Sequence, residues 1–68
     1  MARRSKEQMR QERLVDGLCN KLMSGYRIDI MKMHHLSDAG ESAAKAGKSD
    51  AEVEAAIVEA RDKYATKA

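Results

Sequence analysis

The side chains best suited to metal binding or nucleophilic catalysis in this sequence are Cys19, His34 and His35. The two histidines are adjacent, so on a helix their rings point about 100° apart and cannot both reach one metal ion. Cys19 falls on an apolar helical face, where a cysteine is typically a small core residue. No pattern of nucleophile, base and orienting acid accompanies them, and no glycine-rich phosphate loop does. We therefore predict no metal site, no cofactor and no enzymatic activity.

The cationic side chains are more informative. Residues 1–35 hold eight basic and four acidic residues, a net charge of +4, whereas residues 36–68 hold five and seven, a net charge of −2. We projected the first half as a helix with about 100° per residue. Cations and small residues then share one side, with no acid among them: Lys6, Arg10, Arg13, Gly17, Asn20, Lys21, Ser24 and Arg27. Such a line of cations is typical of a surface that contacts phosphates.

This basic side supports two predictions from different functional classes. The first is a non-enzymatic nucleic-acid-binding accessory or regulatory protein. Its phosphate contacts would come from the cations of the first half: Arg3, Arg4, Lys6, Arg10, Arg13, Lys21 and Arg27. The second is a protein-binding module or small inhibitor that docks its basic face on an acidic partner protein. A solvated helix face without any partner is the remaining interpretation.

Ile28 and Met31 stand out because the same projection puts both near the middle of the basic side. Exposed apolar residues on a charged face can mark a contact with a partner, and methionine adapts to many surfaces. We therefore predict both as partner-binding residues. The alternative is that the helix does not continue through them, so that the projection does not apply there.

The elements that position these residues are predicted to be helices, because proline is absent and glycine occurs only four times. Ser5 and Gln8 fit a capping box at the start of the first helix. Apolar residues then recur with a helical period from Val15 to Leu36. This pattern predicts one long basic amphipathic helix over residues 5–36.

Gly25 is the weak point of that helix. A glycine there suits a left-handed C-terminal cap, after which residues 26–33 alternate like a strand. Because the chain contains no second strand candidate, such a strand could pair only with its copy in another subunit. The order strand, helix, helix would then give a ribbon-helix-helix-like dimer. We prefer a helix that is continuous or kinked at Gly25, and keep that dimer as the alternative.

The second half is predicted to form a small polar connector or short helix over 37–48, followed by an acidic helix over 49–66. The acidic helix begins at a second capping box, formed by Ser49 and Glu52, with acids in its first turn. These elements predict an all-α fold in which the long basic helix and the acidic helix form a hairpin. The hairpin makes one small domain over 5–68, preceded by residues 1–4 as a flexible basic arm.

The composition indicates a thin core. The chain has 68 residues, no phenylalanine and no tryptophan, and small domains of this kind often depend on a partner subunit. We therefore expect a homo-oligomer, in which two hairpins dimerise into a small bundle. The single cysteine excludes an internal disulfide, which indicates a reducing, cytoplasmic setting. No apolar run is long enough to predict a membrane partner.

Overall fold

The computed structural model describes residues 5–68, and this part of the chain is mostly helical. The helices are α1 (Lys6–Met23), α2 (His34–Lys45) and α3 (Asp50–Tyr64). The remaining elements are short: β1 (Tyr26–Arg27), a 3-10 turn (Ile30–Lys32) and β2 (Thr66–Lys67). The all-α prediction is confirmed at the level of fold class. The predicted basic arm, with Arg3 and Arg4, lies outside the described residues.

The first helix starts where predicted but ends much earlier. The Ser5 hydroxyl accepts a hydrogen bond from the Gln8 N–H at 3.1 Å, and Gln8 Oε1 accepts one from the Ser5 N–H at 3.1 Å. The helix stops at Met23 because Gly25 adopts a φ of 81°, in the left-handed region that glycine tolerates best. The predicted helix over 5–36, continuous or kinked, is therefore wrong.

The strand that follows Gly25 pairs within its own chain. β1 and β2 are antiparallel, with Tyr26 opposite Lys67 and Arg27 opposite Thr66. The Ala68 N–H also donates to the Gly25 carbonyl at 2.9 Å. The prediction that a strand here could pair only with another subunit is therefore wrong, which removes the reason for expecting a ribbon-helix-helix-like dimer.

Residues 37–48, for which the sequence allowed either a polar connector or a short helix, are mostly helical. α2 begins at His34, earlier than predicted, and ends shortly before Gly47, which has a φ of 79°. α3 begins at the predicted capping box. The Ser49 hydroxyl accepts from the Glu52 N–H at 3.3 Å, and Glu52 Oε1 accepts from the Ser49 N–H at 3.3 Å. These local hydrogen bonds determine where α3 starts.

The core lies where the three helices meet. Val15 of α1, Leu36 of α2, and Val53 and Ile57 of α3 are each at most 2% exposed. Further apolar residues from all three helices complete this core: Leu18, Cys19, Leu22, Ala43, Ala44, Ala56 and Ala60. Burial of such apolar surface is the main force that holds the helices together.

The second helix contributes more to this core than its small residues suggested. Gly40 lies so close to its neighbours that a Cβ there would be 2.8 Å from Val15 Cγ1 and 2.9 Å from Ile57 Cδ1. The backbone of α2 therefore takes part directly in the packing. A two-helix hairpin does not describe this arrangement, because α2 is a third packed helix. None of the helices within residues 5–68 is long and apolar enough to cross a bilayer.

Candidate functional site

Three of the predicted phosphate-binding cations lie together on the outer surface of α1. Lys6, Arg10 and Arg13 are all exposed. Their spacing of four and three residues places them on one side of an unbroken helix. Gly17, the next residue on this side, is also exposed and has no atom within 4 Å of the place a Cβ would take. We call Lys6, Arg10 and Arg13 the basic face.

The start of α1 affects the potential at this face. Lys6 lies in the first turn, where the unpaired N–H groups and the helix dipole add positive potential. Glu7 lies in the same turn and offsets part of that potential. Arg10 and Arg13 lie beyond the first turn, so their charges are the main source of positive potential further along the helix.

The structure separates the other two described cations from the basic face. Lys21 Nζ lies 3.4 Å from Glu54 Oε1 of α3. Glu54, an acid from the second half of the chain, therefore lies next to the side of α1 on which the helical projection placed no acid. Arg27 is exposed, but it belongs to β1, beyond the end of α1.

The predicted partner-binding pair is also divided. Ile28 is half-buried and packs against the core, so its prediction as an exposed contact residue is wrong. Met31 is 76% exposed, as that prediction requires. Ile30 is 79% exposed, although it falls within the apolar helical period predicted from Val15 to Leu36. The reason is that α1 ends at Met23, so its helical phase does not extend to these residues.

Three neighbouring apolar side chains form an exposed cluster in the segment before α2. Ile30, Met31 and Met33, which we call the apolar patch, are 79%, 76% and 47% exposed. Asp29 fixes the turn that carries them, because its Oδ1 accepts from the Met31 N–H at 3.1 Å. Its carbonyl accepts from the Lys32 N–H at 2.8 Å. Contiguous exposed apolar residues of this kind often mark an interaction site.

Arg61 of α3 holds the segment before the patch against the helices. One guanidinium N–H donates to the Leu22 carbonyl at 3.0 Å, in the last turn of α1. The guanidinium carbon lies 4.1 Å from the centre of the Tyr26 ring, and the Arg61 side chain is only 15% exposed. Sequence reasoning missed this role because Leu22 lies 39 residues from Arg61 along the chain, beyond the reach of any local pattern. Arg61 is a positioning residue for the chain between α1 and the patch.

The two histidines and the cysteine make packing contacts within the chain. The His35 ring stacks on Tyr64 with centroids 4.1 Å apart, and the His34 ring is 4.1 Å from that of His35. Burial raises the pKa of the Cys19 thiol more than its hydrogen bond with Ser37 lowers it. A thiol with a raised pKa is a weak nucleophile at neutral pH. Within residues 5–68, no group of three or more His, Cys, Asp or Glu side chains is placed to hold a metal ion.

Comparisons with protein-family models, with curated proteins and with solved structures gave no match to this chain. The basic face and the apolar patch are therefore the features of the described residues that bear on its function.

Proposed function

We propose that this chain is a non-enzymatic nucleic-acid-binding accessory or regulatory protein that contacts phosphates through the basic face. The observation that supports this is the exposure of Lys6, Arg10 and Arg13 on one side of a single helix. A helix presents these charges in a fixed order, so little backbone entropy is lost when they bind. Lysine and arginine are also the usual partners of phosphate groups.

Contacts to phosphates predict two properties of the binding to nucleic acid. Affinity depends little on base sequence, because phosphates carry no sequence information. Affinity also falls with salt, because each neutralised phosphate releases counterions. Three contacts to duplex DNA correspond to a slope of about −2.7 in a plot of log K against log salt. Further contacts from Arg3, Arg4, Lys21 or Arg27 would make the slope steeper.

The test is fluorescence anisotropy with a short labelled duplex DNA and a matched RNA over a range of salt concentrations. Arg10→Glu combined with Arg13→Glu should abolish binding at low salt and leave the circular dichroism spectrum unchanged. Lys45→Glu combined with Lys67→Glu is the matched control, because both lysines are exposed outside α1 and the change in net charge is the same. Equal losses in the two pairs, or no binding by the natural chain at low salt, would refute the proposal.

The second candidate function is a protein-binding module or small inhibitor that docks on an acidic partner protein. The exposure of Met31 next to the exposed Lys32 favours it, because an apolar anchor beside a cation suits an interface with acids at its rim. Met31→Ser should weaken such docking and leave salt-dependent binding to nucleic acid unchanged. A pull-down from lysate with and without nuclease separates the two functions, since nuclease releases only partners held through nucleic acid.

A further inference from the structure

We propose that His34, the exposed end of three ring side chains in contact, stacks on an unpaired base of a single-stranded nucleic acid. The inference rests on the proposed function and deepens it, because it names the class of nucleic acid and adds a second contact besides the basic face. His34, His35 and Tyr64, which we call the ring stack, are three of the four aromatic side chains in the sequence, and Tyr26 is the fourth.

All four rings lie at one end of the molecule and outside its buried core. Tyr26 follows the end of α1, Tyr64 ends α3, and His34 begins α2. The pairing of β1 with β2 brings the ends of α1 and α3 together, and the stacking of His35 on Tyr64 adds the start of α2. None of the rings is among the buried residues, although aromatic side chains usually contribute much of a core. In a chain with so little apolar material, rings kept at the surface point to a role in binding.

The ring stack runs from a half-buried end to an exposed end. The His35 ring lies 4.1 Å from that of Tyr64, with their planes 11° apart. The His34 ring lies 4.1 Å from that of His35, with their planes 38° apart. Tyr64 and His35 are half-buried, whereas His34 is exposed. His34 therefore has two rings behind it and is accessible to one more planar ring. This order lowers the entropy lost when a base stacks there.

Cations accompany the rings. Five of them lie in the two segments that carry the rings, residues 26–35 and 59–68: Arg27, Lys32, Arg61, Lys63 and Lys67. The same segments contain three acids, Asp29, Glu59 and Asp62, which leaves a net charge of +2. Lys63 Nζ lies 5.4 Å from the centre of the Tyr64 ring, and Arg61 pairs with Asp62 at 3.3 Å. Proteins that bind single strands combine cations, which attract the phosphates, with rings on which the bases stack.

An exposed ring selects for unpaired bases. In a duplex the faces of the bases are covered by their neighbours, so a protein side chain reaches only the backbone and the edges of the bases. A single strand can turn a base outward and stack it on a side chain. Because every base has such a face, this contact tolerates any base sequence, in agreement with binding through phosphates.

The ring stack is separate from the basic face. Gln11 Nε2 donates to the Ala44 carbonyl at 3.4 Å, which places the first half of α1 beside the end of α2. His34 lies ten residues before Ala44 in the same helix, a distance of about 15 Å. Variants of one region therefore leave the other unchanged, and the two contacts can be tested one at a time.

Fluorescence anisotropy with two labelled single strands tests the contact. One strand is a short oligoadenylate, and the other has the same number of phosphates but carries abasic sugars. The natural chain should bind the oligoadenylate about tenfold more tightly, which is the contribution of one stacked base. His34→Ala, at an exposed position, should remove this preference and leave the affinity for the abasic strand unchanged. Ser42→Ala, at another exposed position of α2, is the matched control and should keep the preference. Equal affinity of the natural chain for the two strands, or equal effects of the two variants, would overturn the proposal.

Two further variants separate the ring from its charge. His34→Tyr keeps a ring and should keep the preference for the oligoadenylate, whereas His34→Lys keeps only a cation and should lose it. The opposite result would assign the contact to charge and rule out stacking. The ring protons of His34 should also shift upfield in the NMR spectrum when the oligoadenylate is added, and not when the abasic strand is added.

The same two strands distinguish this proposal from that of the basic face. Arg10→Glu combined with Arg13→Glu should remove binding to the abasic strand, which offers only phosphates. If that pair leaves the abasic strand bound, the basic face has no such role, and the preference of the natural chain still decides whether His34 stacks on bases. If the pair removes binding but the natural chain shows no preference, the basic face keeps its role and the stacking is refuted.

Discussion

The close approach of α2 to the rest of the core predicts that alanine at position 40 destabilises the fold. A Cβ at Gly40 would lie 2.8 Å from Val15 Cγ1 and 2.9 Å from Ile57 Cδ1. Val15 and Ile57 are 1% and 0% exposed, so neither can move into solvent. Gly40→Ala therefore forces these side chains or the backbone of α2 to shift.

Two opposing effects determine how much Gly40→Ala changes the free energy of unfolding. Overpacking a core by one methyl group costs about 1–3 kcal/mol, whereas alanine is the better helix former by about 1 kcal/mol. Gly40→Ala should thus lower the free energy of unfolding by up to about 2 kcal/mol. Gly17→Ala is the matched control, because Gly17 lies inside α1 with nothing within 4 Å of a Cβ. It should raise the free energy of unfolding by about 1 kcal/mol.

Urea unfolding followed by far-UV circular dichroism, at one protein concentration, measures both variants. The difference between them isolates the steric effect, since the gain in helix propensity is common to both. Ile57→Val removes the Cδ1 methyl, so combining it with Gly40→Ala should cost less than the sum of the single changes. If Gly40→Ala stabilises the chain as much as Gly17→Ala does, the helices do not approach so closely and the packing argued here is wrong.

The remaining predictions concern Arg61 and Cys19. Arg61→Ala should lower the free energy of unfolding by about 1–2 kcal/mol, because it loses the hydrogen bond to the Leu22 carbonyl and the contact with Tyr26. In the same assay, Lys45→Ala at an exposed site should change it by less than about 0.5 kcal/mol, and equal effects would contradict the role given to Arg61. Because burial raises the pKa of Cys19 above its ordinary value of 9.0, iodoacetamide should alkylate the folded chain more slowly than the unfolded chain. The contribution of this thiol to stability is fully present below pH 9.0 and is lost as the pH rises through the folded pKa. Cys19→Ala should remove that part of the pH dependence, and an equal alkylation rate in urea would count against burial of the thiol.

The parts of the fold that could be predicted from the sequence depend on neighbours along the chain. Both capping boxes, Ser5 with Gln8 and Ser49 with Glu52, join residues three positions apart, so their residue types alone predicted where α1 and α3 start. The basic face was predictable for the same reason, because its three cations share one side of a helix whatever packs behind it. The all-α class follows from the same local signals.

The parts that only the tertiary structure decided depend on contacts between distant residues. Gly25 was compatible with a kink or a helix end, and the strand after it pairs with Thr66–Lys67, which carry no strand pattern of their own. Contacts with α3 likewise determine the partners of Lys21 and Tyr26. Packing against the core, together with the end of α1, turns Ile28 inward and leaves Ile30 exposed. A pattern read along the chain detects hydrogen bonds and faces within one element. What the chain pairs with after a helix ends depends on which distant segment can satisfy its backbone hydrogen bonds and cover its apolar side chains.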